Sequence, residues 1–346
     1  MDLLQSFSPP ALLGVFLAAA VVVAVCGTLM TGLADRLADL TGLGEAVTGG
    51  VLLGAATSLS GTVVSVVAAL DGRASLAFSN GVGGIAAQTA FLAVADLVWR
   101  RTNLEHASAD IANLFQAALL ALMLTMPLLA YVGPEVAVLG VHPISIAILL
   151  LYGAGVTATS RIRDDPMWKP VWTRETRSDD PEEAVDRDGR ALTPVALRFA
   201  ALLAILAVAG FAISRSGAAL ADTLGVSGTA VGALLTAVST SLPELVTTVA
   251  AVRRGAAQLA VGGIIGGNVF DMLFLTLSDA VYRDGSLYHA IRPDDLLWIA
   301  TGLAMTAILL LGLIARERRG PGDIGFESVG LLGLYALAIA AQIANG

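Results

Sequence analysis

The chain has 346 residues, of which 56% are hydrophobic and only 14% charged, well below the roughly 25% charge of a soluble domain. Its net charge of −8 argues against nucleic acid as a partner. A single cysteine, Cys26, leaves no intrachain disulfide, and no nucleophile, metal or cofactor motif points to an enzyme or a cofactor.

In chain order, apolar stretches long enough to cross a bilayer lie at about 11–34, 45–70, 74–98, 109–132, 137–159, 194–214, 226–251, 256–281, 291–315 and 325–344. Lipid offers no partner for backbone N–H and C=O groups, so each is predicted to be a helix. The predicted fold class is therefore an all-α integral membrane protein with ten transmembrane helices. No basic residue precedes Cys26, so neither a lipid anchor there nor a cleaved signal peptide is expected. His106, His142 and His289 fall near span ends without zinc-site spacing. Residues 161–193 read Arg-Ile-Arg-Asp-Asp-Pro and later Ser-Asp-Asp-Pro-Glu-Glu. Dense charge and proline mark a linker, and it lacks the glycine-punctuated loop of an EF-hand. The predicted organisation is a first five-helix repeat at 1–160, an acidic linker at 161–193 and a second five-helix repeat at 194–346.

The basic residues predict the orientation. With the N-terminus outside, the inner side receives Arg36, Arg100, Arg101, the seven basic residues of 161–193, Arg198, Arg253, Arg254, Arg316, Arg318 and Arg319. The outer side receives Arg73, Arg215, Arg283 and Arg292. This is a positive-inside pattern. It places both termini outside a cell membrane and the linker in the cytoplasm.

The two halves repeat. Residues 57–100 align without a gap on 240–283, at an offset of 183, with 17 of 44 positions identical. Thr57-Ser58-Leu59 matches Thr240-Ser241-Leu242, Gly83-Gly84 matches Gly266-Gly267, and Asp96 and Arg100 match Asp279 and Arg283. Five spans per half, an odd number, invert the second half relative to the first. Inverted repeats in a hydrophobic chain mark secondary transporters, with the substrate held at mid-membrane between the halves.

The seventh span carries Ser239-Thr240-Ser241-Leu242-Pro243-Glu244 at its middle. An intramembrane carboxylate is a functional hypothesis by default. Pro243 leaves a carbonyl near Ser239 without its helical partner, which predicts a kink. Hydroxyls, freed carbonyls and a carboxylate are ligands for hard cations. The eighth span reads Gly262-Gly263-Ile264-Ile265-Gly266-Gly267-Asn268-Val269-Phe270-Asp271. Its Gly262/Gly266 and Gly263/Gly267 pairs permit close helix contact. Asn268 and Asp271 share a face, and Asp271 is predicted at the depth of Glu244. Asp96/Arg100 and Asp279/Arg283 are i,i+4 pairs near span ends, read as interfacial ion pairs rather than gates.

These residues resemble the calcium/cation antiporter superfamily, the sodium/calcium exchangers in particular. That family carries Gly-Thr-Ser-Leu-Pro-Glu and Gly-Ser-Asn-x-x-Asn/Asp in two inverted repeats. The second repeat here is close to both patterns. The first departs: Ser60 stands for Pro, Gly61 for Glu, Ile85 for Asn, and Gln88 for Asn or Asp. The resemblance implies cation ligands at Thr57, Ser58, Gln88, Ala237 (through its carbonyl), Thr240, Ser241, Glu244 and Asp271, with Asn268 beside them. Gly84 and Gly267 stand where the family has serine and offer only backbone. The implied activity is sodium/calcium antiport by alternating access, in a monomeric unit whose partners are inorganic cations and the bilayer. The residues leave open a monovalent cation/proton antiporter. The missing first-repeat Glu also leaves open a transport-inactive scaffold or sensor.

Overall fold

The computed structural model describes residues 7–41, 54–99, 102–171, 173–174, 176, 192–320 and 324–345. Thirteen helical elements account for most of them: α1 (Pro9–Thr41), α2 (Gly54–Leu70), α3 (Ala74–Trp99), α4 (Leu104–Ala107), α5 (Ile111–Val132), α6 (Pro143–Asp164), α7 (Leu192–Leu224), α8 (Gly228–Thr240), α9 (Leu242–Arg254), α10 (Ala257–Val281), α11 (Leu287–Ala290), α12 (Asp295–Ala315) and α13 (Phe326–Asn345). Eight of these are long and apolar enough to cross a membrane, and the bent pair α8–α9 makes a ninth. The predicted second span, 45–70, is seen as a shorter apolar helix, Thr57–Leu70. Its leading part lies outside the described residues.

The flanking helices overlap the ends of the predicted linker. α6 continues to Asp164, and α7 begins at Leu192. Arg161 and Arg163 occupy the last turn of α6, where positive charge favours the helix C-terminus. They belong to the span rather than to the predicted linker. Most of the rest of 161–193 lies outside the described residues.

Two helices form the centre. In the most apolar stretches of α3 and α10, 78% and 67% of residues are buried, against 22% for α6 and α7. The outer helices turn large apolar side chains outward, among them Leu17, Val21, Leu150, Val208 and Leu337. With lipid as the surrounding solvent, such exposure costs nothing, and close helix contact comes from packing and small residues. Gly27 of α1 lies flush against the Pro243 ring of α9, with no room for a Cβ. Its counterpart 183 residues on, Gly210 of α7, lies against α2, where a Cβ would sit 2.8 Å from the Ser60 carbonyl oxygen. Ser60 is itself the counterpart of Pro243. The first helix of each half therefore packs through glycine on the motif helix of the other half.

The same offset governs the polar ends of the central helices. Asp96 accepts from the backbone N–H of Leu104 (2.9 Å), that of Gly325 (3.1 Å) and the Ser328 hydroxyl (2.8 Å). Asp279 accepts from Leu287 N–H (3.1 Å), His142 N–H (2.7 Å) and the Ser145 hydroxyl (2.7 Å). Each partner of Asp279 is 183 residues from a partner of Asp96. These contacts correct the predicted Asp279/Arg283 ion pair. A helix-end carboxylate surrounded by unpaired backbone donors is better satisfied by them than by an arginine that can reach water. Arg100 lies outside the described residues.

Candidate cation-binding site

The break between α8 and α9 builds one wall of the site. Ser241 stands at the joint with φ −94° and ψ 5°, and the two segments are bent by 45°. Pro243 lies in the first turn of α9, where its missing N–H breaks no helical bond. The predicted kink is thus a full break. A π-helical segment, Val231–Thr236, precedes it; nothing in the apolar pattern announced this one. The unbroken α2 has Ser60 where Pro243 stands.

The break turns Thr240, Ser241 and Glu244 onto a small cavity, bordered opposite by Asp271 and Phe274 of α10, Ser58 and Gly61 of α2, and Asn80, Gly84 and Gln88 of α3. The space is about 10 Å³, near the minimum that holds one water. Asp271 is 1% exposed and Glu244 6%, and no basic side chain borders the cavity. Ser58 donates its hydroxyl to Asp271 Oδ1 at 2.6 Å. The Gln88 amide nitrogen donates to Asp271 Oδ2 at 2.6 Å and to Ser241 Oγ at 3.2 Å. Gln88 and Asp271 are repeat equivalents, 183 residues apart. Their contact places the pseudo-two-fold axis through the cavity. Thr57 is a hydrogen-bond partner of the Glu244 carboxylate. Among the described residues, Glu244 Oε2 and Gln88 Oε1 are buried without a partner.

Of the residues singled out in the sequence, Thr57, Ser58, Gln88, Thr240, Ser241, Glu244 and Asp271 come together here. Thr57 joins through Glu244 without bordering the cavity itself, and two others stand apart. Asn268 is one turn away, donating to Thr89 Oγ1 at 2.9 Å; its three-residue spacing from Asp271 gives the same side of the helix but a different neighbour. The Ala237 carbonyl accepts from Ser241 N–H at 3.1 Å and Thr240 Oγ1 at 3.2 Å, because the helix closes again just before the break. Asn80 and Phe274 border the cavity without having been expected. Asn80 was visible as an amide in the same apolar span as Gln88, but its counterpart is Gly263, so the repeat concealed it.

Comparison with known proteins bears on the family and the fold. The family model described as "Sodium/calcium exchanger protein" matches residues 11–160 and 195–344, one segment in each half. The sodium/calcium exchanger MaX1 of Methanosarcina acetivorans is 39% identical over 95 residues, covering 27% of this chain and 25% of that protein. The matched segment is thus about a quarter of that relative's length. Among solved structures, the sodium-calcium exchanger NCX_Mj superposes with a TM-score of 0.63 at 17% identity, covering 96% of this chain and 99% of that one. The H+/Ca2+ exchanger CAX superposes with a TM-score of 0.68 at 13% identity, covering 96% and 87%. At these identities the structures share the fold. Two matched halves, a broken motif helix and paired carboxylates at their junction place this multi-pass membrane protein in the sodium/calcium exchanger protein family.

Proposed function

We propose that the chain is a secondary active cation antiporter that exchanges Ca²⁺ for Na⁺ by alternating access of its two halves. The carrying observation is the cavity on the repeat axis, where Glu244 and Asp271 are buried with the hydroxyls of Ser58, Thr240 and Ser241 and the amides of Asn80 and Gln88 around them. Two carboxylates removed from water require compensating positive charge. They balance one divalent or two monovalent cations, and carboxylate and hydroxyl oxygens suit hard ions. The ligand set offered is Glu244, Asp271, Ser58, Thr57, Thr240, Ser241 and Gln88. The termini are placed outside and 161–193 in the cytoplasm, on the arginine distribution.

A second reading, cation/proton exchange, has its own observation. Glu244 keeps a buried oxygen without a donor, so a proton could replace a cation there. Purified protein in sealed vesicles separates the readings. Ca²⁺ uptake driven by an outward Na⁺ gradient supports the first. Ca²⁺ or Na⁺ movement driven only by a pH gradient supports the second. Silence toward Ca²⁺, Na⁺ and pH contradicts both and favours a scaffold.

A further inference from the structure

The cavity is less symmetric than the fold around it. Position 61 is the repeat equivalent of Glu244, one helical turn beyond Thr57 as Glu244 is beyond Thr240. It is glycine, and it does border the cavity. The space a side chain would enter there is taken. A Cβ on Gly61 would sit 2.7 Å from Phe274 Cε2 and 3.0 Å from Cζ, inside van der Waals contact. Phe274 is 3% exposed. Its own repeat equivalent, Phe91, is only partly buried and does not border the cavity. One half of the pocket thus has a carboxylate and no ring, and the other a ring and no carboxylate.

The remaining first-half groups do not replace the charge. Asn80 uses its amide nitrogen on the Gly61 carbonyl (3.1 Å) and Ser65 Oγ (2.9 Å), and its oxygen accepts from Thr236 (2.7 Å). Gln88 turns its nitrogen toward Asp271. One amide N–H takes a lone pair of Asp271 Oδ2, and the carboxylate keeps others for a cation.

We propose that Phe274 is a specificity-determining residue: its ring fills the half-pocket that repeat symmetry would give to a second glutamate at position 61, leaving one cation site served by Glu244 and Asp271. The pocket then accepts one divalent ion, or at most two monovalent ions, per cycle. This rests on the cation-antiport reading and fixes its capacity.

The test is Ca²⁺ binding to the purified full chain, with Na⁺ as competitor, in wild type, Gly61→Glu, Phe274→Ala and the double variant. In wild type the Hill coefficient for Na⁺ competition should not exceed two. Gly61→Glu alone should gain no Ca²⁺ affinity while the ring stays. Adding Gly61→Glu to Phe274→Ala should gain about tenfold, as site charge tunes calcium affinity, and raise the Na⁺ Hill coefficient above two. A wild-type coefficient above two, an equal gain from Gly61→Glu with the ring in place, or no gain in the double variant would overturn the proposal. If glutamate at 61 prevents folding, Phe274→Leu carries the test alone. It should change the Ca²⁺/Na⁺ preference by about fivefold or more through the altered space and dielectric around the charges. Leu277→Ala, on the exposed side of the same helix, should not; an unchanged preference in Phe274→Leu overturns the proposal. Failure of wild type and all variants to bind Ca²⁺ or Na⁺ contradicts the antiport reading as well. Binding in wild type with indifferent variants contradicts the Phe274 assignment alone.

Discussion

At the scale of single residues, the buried acids of this chain divide by what surrounds them. Asp96 and Asp279 each accept three hydrogen bonds from backbone and serine, which holds a carboxylate in place without a counter-ion. Glu244 and Asp271 face a cavity instead, in company with hydroxyls. Glu105, between the central span and the next, is a third kind. It is fully buried, its oxygens meet no N–H or hydroxyl donor among the described residues, and it faces the carboxyl of Glu327. Burial first, then Glu327 and the charge of Asp96, holds its proton well above the usual carboxylate range. The folded state binds this proton more tightly than the unfolded chain does. Its contribution to stability is therefore complete below the ordinary Glu value, about 4.3, and is lost as pH rises through the raised value. The melting temperature of detergent-solubilised protein should fall as pH rises from the ordinary Glu value toward the raised one, and Glu105→Gln should flatten that fall. An identical pH profile in Glu105→Gln would contradict this account.

At the scale of elements, repeat symmetry makes a quantitative demand. The cap contacts of Asp96 and Asp279 are equivalent partner for partner, so Asp96→Asn and Asp279→Asn should cost similar stability, about 3 kcal/mol each for charge-assisted bonds lost in a buried setting. Thermal unfolding of the two variants measures this, and a loss confined to one would show that the two ends are not equivalent. The existence of most spans was legible in the sequence, because an apolar run bounded by charge needs no tertiary context to be recognised. So was an interruption at Pro243, read as a kink because a proline lacks a donor; the full break with Pro243 in the first turn of α9 was not. The π segment at 231–236 and the use of Asp279 as a cap were not. Both depend on which neighbour arrives: Ser79 and the Leu76 and Asn80 backbone of α3 against Gly232, and the His142–Ser145 turn against α10. The site was half legible for the same reason. Glu244 and Asp271 stand out as acids in apolar spans. Asn268 also stands out, yet its partner is Thr89, and Phe274 reads as one more apolar residue until Gly61 is seen beside it.

At the scale of the molecule, two inverted halves meet along α3 and α10, with Gln88 touching its own repeat equivalent, Asp271. Ion pairs Arg73–Asp222 (2.5 Å) and Arg215–Asp71 (2.7 Å) join the α2–α3 turn to α7 at one end. The orientation proposed from the arginine distribution puts that end outside and the linker inside. Asp180→Cys in a Cys26→Ser background should resist an impermeant thiol reagent added to intact cells, and ready labelling would reverse the orientation. The central claim is that the paired acids between the halves carry the exchanged cation. Its most direct measurement is ⁴⁵Ca²⁺ uptake into Na⁺-loaded vesicles containing wild type or Glu244→Gln, each shown to be folded. The account predicts uptake in wild type that collapses when the Na⁺ gradient is removed, and none above empty vesicles in Glu244→Gln. Sodium-driven uptake that survives Glu244→Gln would contradict it.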